Sequence, residues 1–536
     1  MRFSLVEEPW IPVVRGGEPE LVSLRDALRH AHDIQALTAP VGTQIPAMLR
    51  QVLLPVIIHA TDLPAEEEEW GARWSAGRFD PEVVDAYLDE HAERFYLFHS
   101  DQPFAQVGDL RTAKDETKPS SLLIPSEAGG NNVPLFSSRT EAEAPTLTAA
   151  EAARWLLHVH CWDTAAIKTG VVGDPKVKNG KTTGNPTGPL GQLGVVIPTG
   201  RTLFETLLLN VPIQPDGLEL ADRPQWQGPV ADATWSERPV RGLLDLLTWQ
   251  ARRVRLIPEE GQEGLVVRRV IVAAGDRQPP APDVEPHTTW VIDRKPKAGQ
   301  PPRRPRRLRA GYAAWRGLEA LIAIQGPGGQ GTVETSRLLA QVADLREDQL
   351  DDTYPLTVLN VGAVYGNQSA VVEHVIVDAL ALPVAALRSD VDMREFLTGV
   401  VNQVDGLAKA VNFLAADLRR ALGGEGVPWD QGQRPDVAVV HELDPLVRRL
   451  LAGLQHDPGQ RGVAQRAWEQ AAFRVVRAVA DALLDAVPPA AFAGRERDKR
   501  RYVPAVAEQA FRSKVADLLP HRHDRADADQ LHEEAS

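Results

Sequence analysis

A short stretch near the start of the chain, HAHD, holds histidine and aspartate side chains at a spacing that could serve a metal ion: His30, His32 and Asp33. A similar stretch, HRHD, lies at residues 521–524. Imidazole and carboxylate ligands bind divalent ions that activate water, which is the chemistry of a metal-dependent nuclease. Residues two apart do not share a helix face, so helical geometry alone does not pair these ligands.

Other patterns of catalytic residues are missing from the sequence. It contains no G-x-S-x-G elbow, no H-E-x-x-H pair and no P-loop. Its one cysteine, Cys161, excludes an intrachain disulfide and any multi-cysteine zinc site within this chain. The segment ARWLLHVHCWDTAAI around it predicts a buried helix. We therefore predict no catalytic constellation, no metal and no cofactor, and we favour binding over catalysis.

A different kind of chemistry is suggested by LNVGAVYGNQSAVVEH, residues 359–374, where a polar turn interrupts two apolar runs. Gly366, Asn367, Gln368 and Ser369 form that turn. A plain hairpin is one interpretation. The other is an amide side chain directed outward at something flat and stacked.

The net charge of −14 argues against a protein uniformly covered by nucleic acid, but two segments are strongly basic. Residues 294–309 hold eight basic residues and no acidic one, and residues 168–181 hold four lysines against the single Asp174. Only charges within about 10 Å of a phosphate act strongly on it, so a local basic site is compatible with an acidic chain. Both segments are rich in glycine or proline and should be loops, either solvated or in contact with phosphates.

The elements that would position these residues predict an α+β fold. At 536 residues the chain should form more than one domain. We expect a large, irregular, mixed α/β N-terminal domain over residues 1–384, with short strands at RTLFETLLLNV, RRVRLIP and LVVRRVIVAAG. It shows no βαβ alternation and so no parallel sheet. An antiparallel four-helix bundle over residues 385–525 and a polar tail over 526–536 should follow.

The bundle prediction rests on apolar residues at helical spacing. The first helix has them at intervals of 4, 3, 4, 3, 4, 3 and 4, which is the seam of a packed helix. The members of this seam are Met393, Leu397, Val400, Val404, Leu407, Val411, Leu414 and Leu418. The third helix should bury Trp468, Ala472, Val475, Val479, Ala482 and Ala486. No Glu-x-x-His pair points to a metal site in this core.

No apolar run approaches the roughly 20 residues that a membrane helix needs. Glu7, Glu8 and Pro9 stand where a secretory signal would carry its apolar stretch. We therefore expect a cytoplasmic protein without a membrane partner.

Eight segments together resemble a known family. They are FSLVEEPWIPV followed by VSLRDAL, then YLFHSDQPFAQV, GGNNVPLF before LTAAEAARWLL, TGPLGQLG leading to LFETLLLNV, and the turn YGNQS. In this order they are similar to the CasA family, the large subunit of the type I-E CRISPR surveillance complex Cascade. The similarity runs from residue 1 to Ser369, and the predicted bundle agrees with the C-terminal domain of that family.

The resemblance implies a non-catalytic DNA-recognition subunit. Large subunits of this family sit at one end of a crRNA-guided complex with the other Cascade subunits. They recognise the protospacer-adjacent motif (PAM) of double-stranded target DNA from the minor groove, and they help to start the R-loop. They also recruit the helicase-nuclease effector. Some relatives carry a cysteine-bound zinc, which this chain cannot.

The resemblance also assigns site residues. The turn matches a DNA wedge in which Gln368 enters a base step, flanked by Asn367 and by Ser369 where the family often has alanine. The resemblance also implies a glycine loop within 168–194 that meets the minor groove, with Lys178, Asn179, Gly180, Lys181 and Gly188. It implies a basic finger in which Arg268, Arg269 or Arg277 stands in place of the family's lysine. It further implies a guide-proximal loop with Asn131, Asn132 and Phe136. A metal-dependent nuclease and a purely scaffolding bundle protein remain the alternatives.

Overall fold

The computed structural model describes residues 2–127, 145–213, 222–262, 264–280, 282–297, 299–324, 332–388, 390–424, 434–497 and 500–523. Its contacts divide the chain into two compact units. The first unit comprises Met1–Tyr312, Ala323–Leu350 and Leu356–Ala379, and the second comprises Ala313–Ile322, Asp351–Pro355 and Leu380–Ser536. The predicted α+β class with a helical C-terminal region is confirmed. The domain boundary at 384/385 and the tail at 526–536 stay predictions.

The described helices of the first unit span at most 14 residues, whereas the second unit holds four longer helices and two short ones. They are α1 (Leu24–Arg29), α2 (Gln44–Met48), α3 (Leu54–Thr61), α4 (Glu67–Ala76), α5 (Pro81–His91), α6 (Ala149–Trp162), α7 (Leu203–Leu209), α8 (Leu243–Leu247), α9 (Leu318–Leu321), α10 (Arg337–Asp344), α11 (Val384–Leu387), α12 (Val391–Ala421), α13 (Pro435–His456), α14 (Arg461–Asp485) and α15 (Pro504–Leu518).

The strands form several small sheets. They are β1 (Ile11–Arg15), β2 (Glu18–Val22), β3 (Ile34–Leu37), β4 (Lys118–Pro119), β5 (Leu147–Thr148), β6 (Lys168–Thr169), β7 (Lys181–Thr182), β8 (Val195–Thr199), β9 (Arg252–Gly261), β10 (Gly264–Ala274), β11 (Trp290–Ile292), β12 (Arg303–Pro305), β13 (Val333–Glu334), β14 (Thr357–Tyr365), β15 (Val372–Ala381), β16 (Arg495–Arg497) and β17 (Arg500–Tyr502). Three of the sheets bear on the site: β15-β14-β8, the β9–β10 hairpin with β4 and β5, and the β6–β7 pair.

Helix α6 is the buried helix that the sequence predicts around Cys161. It begins with a capping box, because Thr148 Oγ1 accepts from Glu151 N at 3.2 Å and Thr148 N donates to Glu151 Oε2 at 2.9 Å. Cys161 is buried, and burial raises the pKa of its thiol to about 12. The helix ends at Trp162 with Asp163 as its C-terminal cap, and the glycine-rich segment (residues 164–194) follows.

One of the predicted strands is wrong. Strands do form at RRVRLIP and LVVRRVIVAAG, as β9 and β10, but the segment RTLFETLLLNV forms helix α7. Thr202 caps this helix by accepting from Glu205 N at 3.2 Å. A local capping signal of this kind favours a helix over the strand that the apolar run suggests.

In the second unit, the four long helices form an antiparallel bundle. Asn412 Oδ1 accepts from Asp436 N at 3.1 Å, which pairs the end of α12 with the start of α13. Gln403 Nε2 donates to Leu518 O at 3.0 Å, which pairs the middle of α12 with the end of α15. All eight predicted seam residues of α12 are buried. The stripe predicted for α14 is wrong beyond Ala472, because the buried positions continue at spacings of four, at Val476 and Ala480.

No helix within the described ranges combines the length and the apolar character of a membrane span.

Candidate nucleic-acid interface

The turn between β14 and β15 forms an exposed tip, which we call the amide tip (residues 366–370). Ser369 N donates to Gly366 O over 2.8 Å and closes the turn. Asn367 and Gln368 are both exposed. The amide of Gln368 is therefore accessible to a partner outside the chain.

The backbone of the amide tip is strained and held from below. Gln368 has a φ of 53° and Ser369 a φ of 54°, in the left-handed region that costs a residue with a side chain about 1–2 kcal/mol. Ala165 N donates to Ser369 O over 2.8 Å. Tyr365 Oη donates to the carbonyl oxygen of Trp162 over 2.6 Å, and burial raises the pKa of Tyr365, so the phenol stays protonated. Strain of this kind persists only where surrounding contacts fix it.

A second exposed tip, which we call the lysine tip (residues 178–181), closes the β6–β7 hairpin. Lys178 N donates to Lys181 O over 2.9 Å, and Lys181 N donates to Lys178 O over 3.1 Å. Asn179 has a φ of 51° and Gly180 a φ of 71°, the two consecutive positive angles of a type I′ turn. All four residues are exposed, so two lysines project around a backbone with little side-chain bulk.

The base of the lysine tip is a buried ion cluster. Asp163 accepts from Lys168 Nζ at 2.6 Å and also from Arg252 Nε. Burial alone would raise the pKa of Asp163, but the two cations lower it to about 2. Arg252 Nη2 also donates to Thr164 O at 2.9 Å and to Pro186 O at 2.7 Å. One arginine thus joins both ends of the glycine-rich segment.

Gly188 is not part of either exposed tip. It is buried, and a Cβ built at this position would lie 2.4 Å from the carbonyl oxygen of Cys161. Its amide donates to Asp163 O over 2.8 Å. The absence of a side chain at Gly188 is therefore explained by close packing on helix α6, and the expectation that it meets the minor groove is corrected.

Two of the three candidates for a basic finger, Arg268 and Arg269, lie within strand β10. Arg268 Nη1 pairs with Glu259 Oε2 of the neighbouring strand at 2.8 Å. Arg269 Nε donates to Thr117 Oγ1 at 2.9 Å. These contacts account for both side chains without a nucleic acid.

Arg277, the third candidate, lies beside the lysine tip. Its Nη2 donates to Thr183 O at 3.1 Å, two residues after the end of the tip. Its guanidinium carbon lies 4.2 Å from the centroid of the Trp235 ring. Among the three arginines, this is the one that contacts the glycine-rich segment directly.

The arginine loop, residues 303–309, runs along the other end of the glycine-rich segment. Arg307 Nε donates to Gln192 O at 3.2 Å. A Cβ built on Gly194 would lie 2.4 Å from Arg306 O, so the two backbones are in close contact. Arg304, Arg307 and Arg309 are exposed. The arginine loop therefore packs against the end of the glycine-rich segment that is remote from the lysine tip, at residues 192–194.

The candidates for the guide-proximal loop, Asn131, Asn132 and Phe136, lie outside the described residues. The HAHD stretch is described: Asp33 Oδ2 lies 3.7 Å from His30 Nδ1 and 3.5 Å from His32 Nε2. Within the described part of the chain, no group of three or more histidine, cysteine or acidic residues is arranged to hold a metal ion.

Sequence reasoning did not single out Asp163 or Trp235. A signal for Asp163 was available, because it is the only carboxylate between Glu151 and Asp174 and directly precedes the glycine-rich segment. Trp235 is an isolated aromatic residue in a polar stretch, DATWSERP, and nothing in its local pattern connects it to Lys176, which lies 59 positions earlier.

Comparisons with known proteins agree with one another. The sequence profile of a family described as CRISPR-associated protein Cse1 matches residues 4–479. A CRISPR-associated protein CasA/Cse1 of Thermus thermophilus is 31% identical over 430 residues, which are 79% of each chain. The crystal structure of Cse1 from Acidimicrobium ferrooxidans has a TM-score of 0.83 at 30% identity and covers 97% of this chain and 99% of its own. The Cse1 structure from Thermobifida fusca has the same TM-score and identity, with 97% and 98% coverage.

A chain from a structure described as a CRISPR RNA-guided surveillance complex has the same fold, with a TM-score of 0.68 at 23% identity and coverage of 96% and 99%. The profile match and the 31% identical relative extend over most of the chain. They confirm the resemblance drawn from the order of the sequence segments. The chain belongs to the Cse1 family of CRISPR-associated proteins, the CasA large-subunit family of Cascade.

Proposed function

We propose that the chain is the non-catalytic large subunit of a crRNA-guided Cascade complex in the cytoplasm. In this role it recognises the PAM of double-stranded DNA from the minor groove, opens the duplex beside it and helps to recruit the helicase-nuclease. Base pairing with the guide then reads the remaining target sequence.

The observation that carries the proposal is the exposed, strained amide tip above a segment that also holds the lysine tip. Gln368 is uncharged, exposed and fixed in a left-handed conformation, which suits insertion into a base step. Unstacking a step costs a few kcal/mol, and contacts to the opened DNA can offset this cost. Lys178 and Lys181 supply positive charge on the segment that begins beside Ala165, whose N–H donates to Ser369 O of the amide tip, and this charge favours approach of the phosphate backbone.

The roles in PAM reading follow from the character of the two tips. The minor groove presents a degenerate pattern of acceptors, so a backbone-rich turn with one small residue can enter it where a bulky tip would not. Asn179 and Gly180 at the lysine tip meet this requirement, since neither a long side chain nor a carboxylate stands there. The amide tip would act afterwards, at the first base pair of the target.

The proposal is tested in the reconstituted complex with Gln368→Ala. Opening is followed by 2-aminopurine fluorescence at the first target positions, and duplex binding is measured separately. Gln509→Ala, which removes an exposed glutamine from α15, is the matched control. We expect assembly and PAM-dependent binding to be retained while opening is weakened roughly tenfold or more, as the loss of a wedge predicts.

Three outcomes separate the alternatives. Normal opening by Gln368→Ala would refute the wedge. Unchanged DNA binding in the double variant Lys178→Gln/Lys181→Gln, with assembly still dependent on the subunit, would favour a scaffolding role. Cleavage of DNA by the isolated chain with Mn²⁺, abolished by His32→Ala, would favour the nuclease alternative.

A further inference from the structure

One buried tryptophan holds two cations next to the lysine tip. Lys176 Nζ lies 3.7 Å from the centroid of the Trp235 ring, and the guanidinium carbon of Arg277 lies 4.2 Å from it. Only 7% of the tryptophan is exposed. Both distances fall within the range of cation–π contacts, in which the negative face of the ring attracts the cation.

Neither of these cations forms an ion pair with a carboxylate among the described residues. Other buried or half-buried arginines of the region do have one: Arg252 pairs with Asp163, and Arg253 Nη2 lies 3.1 Å from Asp276 Oδ1. The carboxylates of Glu237 and Asp174 attract Arg277 electrostatically without reaching ion-pair distance. A negatively charged group from outside the chain would supply the direct partner that both cations lack.

The only carboxylate within the glycine-rich segment, that of Asp174, already has hydrogen-bond partners. Asp174 is buried, and its two oxygens accept from Lys176 N at 2.8 Å and from Thr182 Oγ1 at 2.9 Å. It fixes the backbone that leads into and out of the lysine tip. The ammonium group of Lys176 is left directed to the ring of Trp235.

The tryptophan also fixes the position of the lysine tip. Lys176 precedes the tip by two residues, while Arg277 donates to Thr183 O, two residues after it, at 3.1 Å. A Cβ built on Gly173 would lie 3.2 Å from the Cβ of Ala233, two residues before Trp235, so the backbones also approach closely. Both sides of the hairpin are thus held by the segment that carries Trp235.

We propose that Lys176 and Arg277, held on Trp235, form a clamp for one phosphodiester group of the DNA backbone. Trp235 is a positioning residue, because it acts through the two cations. The inference rests on the proposed function, and it gives Arg277 a role in holding the backbone instead of reading a base. A phosphate contact of this kind fixes the register of the duplex but carries no sequence information.

The test uses the reconstituted complex and measures duplex affinity over a range of salt concentrations. The variants are Lys176→Gln, Trp235→Leu and Trp235→Phe, and Lys409→Gln on α12 is the matched control for the loss of one exposed lysine. Losing one phosphate contact should reduce the slope of log K against log salt by about 0.9. We expect Lys176→Gln to do so and to weaken PAM-bearing and PAM-free duplexes by the same factor.

The ring variants test the role of the tryptophan. Trp235→Leu should weaken binding roughly three- to tenfold, whereas Trp235→Phe, which keeps an aromatic face, should retain most of the affinity. A duplex with one neutral methylphosphonate, moved along the backbone, should reveal a single position where wild type loses affinity and Lys176→Gln does not. Since Lys176 is exposed, its variant remains informative even if Trp235→Leu fails to fold.

Unchanged duplex affinity and an unchanged salt slope in Lys176→Gln would overturn the clamp. A loss of affinity confined to PAM-bearing duplexes would also overturn it, because such a loss would indicate base reading. Either result would leave the wedge intact, because Gln368→Ala measures opening separately. A wild-type complex whose duplex binding does not depend on this subunit would overturn both the clamp and the proposed function.

Discussion

The amide tip and the lysine tip reach the same backbone geometry with different residues. Each places two consecutive residues at positive φ: Gln368 and Ser369 in one, Asn179 and Gly180 in the other. Asparagine and glycine tolerate this region at low cost, whereas glutamine and serine do not. The lysine tip is thus a relaxed turn, and the amide tip is a strained one.

The strained tip is the one with the stronger support. Tyr365 Oη and Ser369 O are both bonded to the backbone at and just after the end of α6, at Trp162 and Ala165. The lysine tip depends on the same backbone through Lys168 and Asp163. The backbone strain supports the proposal that the side chains of the amide tip serve a purpose other than stability, since glycine or asparagine would cost less free energy there.

The largest expected loss of stability comes from Asp163→Asn, which removes the carboxylate of the ion cluster beneath both tips. Lys168 and Arg252 would remain buried without their carboxylate, which typically costs about 3–5 kcal/mol. Urea denaturation followed by tryptophan fluorescence measures this loss. The control Asp109→Asn removes an exposed carboxylate and should change the free energy of unfolding by less than about 0.5 kcal/mol. A loss below about 1 kcal/mol for Asp163→Asn would mean that the ion cluster does not hold the two tips.

Lowering the pH should reduce the stabilisation from the same ion cluster, by a smaller amount than Asp163→Asn does. The pKa of Asp163 is about 2 in the folded chain against an ordinary value of 3.8, so its stabilisation is fully present above about pH 4 and is lost as the pH falls through 2. The total is about 2 kcal/mol. We therefore expect the stability difference between wild type and Asp163→Asn to shrink by this amount on acidification. A difference that does not change with pH would contradict the depressed pKa.

The smallest expected changes in stability come from substitutions at the left-handed positions of the two tips. Ser369→Gly should stabilise the chain by about 0.5 kcal/mol, because it relieves left-handed strain at some cost in chain entropy. Gly180→Ala should destabilise it by about 1 kcal/mol, since a Cβ there has open space but the φ of 71° is unfavourable. Thermal unfolding of both variants shows whether each substitution raises or lowers the stability of the chain.

A glycine with ordinary backbone angles provides the control for that comparison. Gly399 lies inside helix α12, and a Cβ there would also meet open space. Gly399→Ala should therefore stabilise the chain by up to about 1 kcal/mol through helix propensity. The comparison between the tips fails if Ser369→Gly and Gly180→Ala shift stability in the same direction.

Several elements could be predicted because their signals are local. The buried helix around Cys161 and the seam of α12 were predicted from apolar residues that lie close together or repeat strictly. The capping box of α6 and the Asn-Gly turn of the lysine tip depend on signals that are equally local. The α14 stripe failed beyond Ala472, where alanines and valines on adjacent faces give no clear contrast in hydrophobicity. The strand predicted at RTLFETLLLNV is wrong because Thr202 caps a helix there, and a run of leucines fits a buried helix as well as a strand.

The order of the segments was enough to identify the family, the spacing of apolar residues was enough to predict the helical C-terminal region of a mixed fold, and the break between two apolar runs was enough to predict the polar turn. Only the tertiary structure decided that Gly188 packs on a helix, that Arg268 and Arg269 are occupied within a sheet, and that Arg277 shares a tryptophan with Lys176. The physical reason is distance along the chain. Capping, turn geometry and periodicity depend on residues that are close in sequence. Burial, ion pairing and ring contacts join residues that are far apart in sequence, and no local pattern predicts which residues will meet.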